Sequence, residues 1–67
     1  MTTVPPAAIE VRLNLDPARA WALAQLVKRI GWSELRVNAA NNAEAHLMVD
    51  ALSDLQNALA AAGVAPP

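Results

Sequence analysis

Sixty-seven residues make at most one domain, and a chain this short buries only about 60% of the surface it exposes when unfolded. It has no cysteine, which excludes a disulfide brace, and a single histidine with no thiol beside it argues against a structural metal. Its net charge of −1 lacks the cationic excess that a nucleic-acid binder uses on phosphates.

Self-association is the remaining route to extra stability, and a homodimer is expected. The apolar fraction is 55%, but sixteen of those residues are alanine, and the only aromatics are Trp21 and Trp32. Alanine favours helices and buries little area. The composition predicts a mainly helical domain with a thin core of Leu, Val, Ile, Met and tryptophan.

Residues 1–8 contain Pro5-Pro6 and no periodic pattern, and read as a disordered leader without the basic and apolar regions of a signal peptide. A single domain is expected over residues 9–64, followed by a short tail at 65–67. Ile9 to Leu15 alternates strictly, with Ile9, Val11, Leu13 and Leu15 on one side and Glu10, Arg12 and Asn14 on the other. That period predicts a β-strand.

Asp16-Pro17 is a helix start, the aspartate as cap and the proline at the first helical position. The helix should run from Pro17 to Ile30, burying Ala20, Leu23, Ala24, Val27 and Ile30, with Trp21 also in the core. Lys28 and Arg29 suit its last turn. Gly31 is expected to end it in the left-handed conformation.

Ser33 is the next cap candidate, opening a short helix to about Ala40. Asn41 with Glu44 resembles a capping box. A long helix should follow from Asn42 to Ala62, stopped by Gly63. Its stripe is Met48, Leu52, Leu55, Leu59 and Ala62.

The expected fold is therefore β-α-α-α, mainly α with one N-terminal strand. A lone strand leaves backbone groups without partners. Either the leader folds back beside it, or the segment is merely extended, or it pairs with the same strand of a second copy about a two-fold axis. The last is the preferred expectation.

The charges are segregated. All five cations, Arg12, Arg19, Lys28, Arg29 and Arg36, precede residue 37, and that half sums to +2. The rest carries Glu44, Asp50 and Asp54 and no cation, summing to −3. Such a bipolar surface orients a charged partner. Together with Trp32, these eight charged residues are the candidate partner-binding set. Trp32, in a turn, reads equally as core filler or interface anchor.

Chemistry that would mark an enzyme is missing from the pattern. Ser33 and Ser53 read as helix residues rather than nucleophiles. His46, Asp50 and Asp54 share one helix face, better read as a solvated polar stripe than a metal site. Both glycines read as helix terminators, so no phosphate loop is present. No enzyme activity and no cofactor are expected. No stretch approaches the roughly 18 apolar residues that span a bilayer, so a cytoplasmic, membrane-free protein is expected.

Residues 9–33, a strand, then Asp16-Pro17 opening a helix, then Gly31-Trp32-Ser33 opening another, resemble the ribbon-helix-helix repressors and antitoxins. The resemblance implies a dimeric ribbon in the DNA major groove. Glu10, Arg12 and Asn14 would read bases, and the helix start at Ser33 would hold a phosphate.

A longer stretch, Leu-Asn-Leu-Asp-Pro, then Ala-Trp-Ala-Leu-Ala-Gln-Leu-Val-Lys-Arg-Ile-Gly-Trp-Ser, Glu44-Ala45 and the Ala-Ala-Ala-Gly-Val-Ala-Pro ending, resembles small uncharacterised proteobacterial proteins of prophages and conjugative elements. Single-domain proteins of that kind include anti-CRISPR inhibitors. This implies a non-enzymatic inhibitor of a host protein complex, such as a CRISPR effector. It is the preferred expectation, and the DNA-binding dimer is the alternative.

Overall fold

The computed structural model describes residues 8–67. They form three helices: α1 over Pro17–Arg29, α2 over Trp32–Asn38 and α3 over Asn42–Ala61. The order is helix, short helix, long helix, as the local signals predict.

Each helix begins where a side chain or carbonyl satisfies free N–H groups. At α1, the Asp16 carboxylate accepts from the Arg19 amide at 3.3 Å, with Pro17 at the first position. At α3, Asn41 Oδ1 accepts from the Glu44 amide at 2.8 Å, and Glu44 Oε1 accepts from the Ala40 amide at 2.8 Å. Replacing Asn41 by alanine should cost about 1 kcal/mol of stability. A urea titration followed by helical circular dichroism reads that loss, and an unchanged midpoint would show that the cap contributes nothing.

The start of α2 differs from expectation. Gly31, not Ser33, is the N-cap, and Ser33 lies within the first turn. The Gly31 amide donates to Glu34 Oε1 at 2.6 Å. Gly31 has φ −108°, so it does not end α1 in the left-handed region. Ile30 caps α1 instead, its amide donating to the Leu26 carbonyl. Gly63 does take a left-handed conformation, at φ 91°. There the Val64 amide reaches back to the Leu59 carbonyl at 2.8 Å, closing α3.

The expected strand does not form. Residues 8–16 have no helix or strand, so the β-α-α-α fold and its strand-paired dimer are corrected to three helices preceded by an extended segment. The reason is the one that made the strand awkward. Nothing in the described chain offers residues 9–15 a ladder, and none of their backbone groups bonds to another backbone group among the described residues. Alternation fixes which way side chains point, not whether the backbone is paired. The leader lies outside the described residues except for Ala8.

α3 is the common partner. Both α1 and α2 pack on it, and they do not pack on each other. The main core cluster joins Ala24 and Val27 of α1 to Leu59 of α3, with Leu23, Leu52, Leu55 and Val64 against it. Leu35 and Ala45 are buried in the α2 and α3 segments. Among the described residues no helix is long and apolar enough to cross a membrane.

Candidate functional site

Because α1 and α2 share only α3, the molecule has a recess on each side of α1. The first is a cleft of about 240 Å³ at the corner where α1 gives way to α2. Ile30, Gly31 and Trp32 form its connecting wall, and Val49, Leu52, Ser53 and Gln56 of α3 form its floor. Its polar lining is Ser53 and Gln56.

Trp32 stands at this corner with 44% of its surface exposed. Its ring lies 4.9 Å from that of His46, tilted by 41°. α3 thus sets the His46 ring against the indole, which stays partly exposed. Val49 and Leu26 are further exposed apolar side chains of α3 and α1. Lys28 and Arg29 end α1 immediately before the corner, and neither joins an ion pair among the described residues.

The second recess is a wider open groove of about 980 Å³. The extended segment forms one wall, with Ile9, Val11, Leu13 and Leu15 turned into it as the alternation predicts. Pro17, Ala20 and Trp21 of α1 and the Ala51–Ala62 face of α3 complete it. Trp21 was expected in the core; it is 43% exposed on this groove instead, because its α1 position lies beside the alanine stripe rather than within it.

The remaining predicted residues scatter. Arg12 is exposed and lies 3.4 Å from Glu10. Arg19 lies 3.5 Å from Asp16. Arg36 is half-buried and structural: its Nε donates to Asn42 Oδ1 at 2.5 Å and Nη1 to the Ala39 carbonyl at 3.2 Å, tying α2 to the start of α3. Glu44 is spent on the α3 cap. Asp50 is exposed, and Asp54 lines the groove. Glu10, Asn14 and Ser33 are exposed, but the paired ribbon that would present Glu10, Arg12 and Asn14 to bases is not formed.

Sequence reasoning missed the Trp32–His46 contact by placing His46 in a row with Asp50 and Asp54. It also missed Leu47 and Val49, exposed on α3 off its main stripe. Their signal was in the sequence, as two large apolar residues outside the 48-52-55-59 pattern.

A family model described as a family of unknown function, DUF7706, matches residues 1–67. No curated protein and no solved structure matches the chain.

Proposed function

Because the chain belongs to DUF7706, a family of unknown function, we propose its role from its own surfaces: a small non-enzymatic protein that binds a protein partner at the α1–α2 corner, with Trp32 as anchor. The observation that carries this reading is the half-exposed Trp32 on a cleft, with the His46 ring packed against it. A braced indole loses little side-chain freedom on binding, and tryptophan is prominent among interface residues that dominate affinity. Arg29, exposed at the end of α1, supplies a cation suited to an acidic partner surface. The cleft's polar groups, Ser53 and Gln56, suit hydrogen bonding to a partner better than acid–base work.

In its finer form, the partner is a host effector complex in the cytoplasm and the chain inhibits it. This rests on the resemblance to mobile-element proteins. The test is expression of the chain in cells with an active CRISPR effector, with interference and nuclease-resistant capture of effector subunits both measured. Trp32→Ala should weaken capture by at least about 30-fold, the equivalent of about 2 kcal/mol. Val49→Asp should weaken it too, and both variants should keep the wild-type helical signal. A folded Trp32→Ala protein that captures the partner as well as wild type would defeat the corner reading. Retention of duplex DNA that falls steeply with salt, without effector subunits, would favour the DNA-binding alternative.

A further inference from the structure

We propose that the groove between residues 9–15, α1 and α3 is occupied by a second copy of this chain, so that the protein is a helical homodimer in solution. No strand ladder is involved; the contacts are between side chains.

The first argument is what the groove leaves uncovered. Ile9 is 88% exposed, Val11 77%, Leu13 59% and Trp21 43%, all on one recess. Leu47, 67% exposed, continues that face along α3, since 47, 51, 54 and 58 follow helical spacing. Scattered apolar residues on a surface are ordinary, but a contiguous set marks an interface.

The second argument selects the occupant. α1 carries Arg19, Lys28 and Arg29 with no acid, and α3 carries Glu44, Asp50 and Asp54 with no cation. Although α1 and α3 pack together, no ion pair joins them among the described residues. Lys28 follows Trp21 by two turns and so shares its side of α1 by helical spacing, beyond the groove's own lining, and Asp54 lines the groove from α3. In an isologous contact each patch meets its own complement twice. A two-fold axis through the groove sets α1 of one copy on α3 of the other, and Lys28 against Asp54 in both halves. A second copy therefore brings the charge that each side of the groove lacks.

Sedimentation equilibrium on the full chain tests this. Wild type should have twice the 7.1 kDa chain mass at micromolar concentration. Val11→Asp should raise the dimer dissociation constant at least tenfold without loss of helical signal, because Val11 buries almost nothing in the monomer. Lys28→Glu and Asp54→Lys should each weaken the dimer, and the double variant should recover it. A monomer at every concentration, a dimer indifferent to Val11→Asp, or a double variant no tighter than either single would overturn the proposal. Trp32 stands outside this groove, so loss of partner capture in Trp32→Ala and loss of the dimer in Val11→Asp are read separately.

Discussion

Leu59→Ala should remove about 2–5 kcal/mol of unfolding free energy, the range for truncating a buried leucine. Leu59 is the one large buried side chain of α3, packed against Ala24 and Val27 of α1. Its buried neighbours on α1 are Ala24 and Val27, and an alanine opposite an alanine leaves a gap that neither can fill. The same residue's carbonyl receives the Val64 amide at the end of α3, so relaxation into the gap also pulls on the helix terminus. A 67-residue domain has only about 3–10 kcal/mol to lose. The urea midpoint should therefore fall sharply, with little change in slope. Leu59→Met, which keeps the volume, should cost less than about 1.5 kcal/mol. All three proteins are compared at one concentration, because a partner copy adds its own stabilisation by mass action. If Leu59→Ala costs no more than the exposed change Asn57→Ala, the α1–α3 seam is not the core.

The seam was legible because its determinants are local. Asp16-Pro17, Asn41 with Glu44, and Gly63 are capping signals that act within a turn of chain, and each operates where it was read. Leu59 followed from periodicity alone. The extended segment shows where such reading stops. Alternation at 9–15 placed four apolar side chains on one side correctly, but the backbone's partner is a property of the whole molecule. The α1–α2 junction failed for a subtler reason. Ser33 is a better cap by type than Gly31, yet Glu34 reaching back to the Gly31 amide starts the helix two residues earlier. The Trp32–His46 pair joins residues fourteen apart across a helix junction, and no local pattern encodes it. The candidate site was thus half visible. Trp32 could be named, but not what holds it.

That support is what Ala45→Leu should break. Ala45 is the only fully buried residue of α3, in the helix's first turns where α2 crosses it. A leucine there adds three carbons to a side chain with no solvent-exposed surface, at a cost of about 1–3 kcal/mol. The strain has an outlet, because α2 is only seven residues long and is tied to α3 mainly through Leu35, Arg36 and Trp32. α2 should move away from α3, and the indole should lose its contact with His46. In a Trp21→Phe background, Trp32 is the only tryptophan, and its fluorescence should change with Ala45→Leu. In the chain with Trp21 kept, Ala45→Leu should also lower partner capture, while the groove on the other side of α1 should be untouched and the dimer retained. Ala45→Gly is the contrasting case. It weakens the helix by about 1 kcal/mol without pushing on α2, so Trp32 emission should stay at its wild-type value. Unchanged emission and wild-type stability in Ala45→Leu would mean that α2 is not held by this contact. Trp32 would then be a loose side chain, and the argument that its bracing favours binding would fail with it.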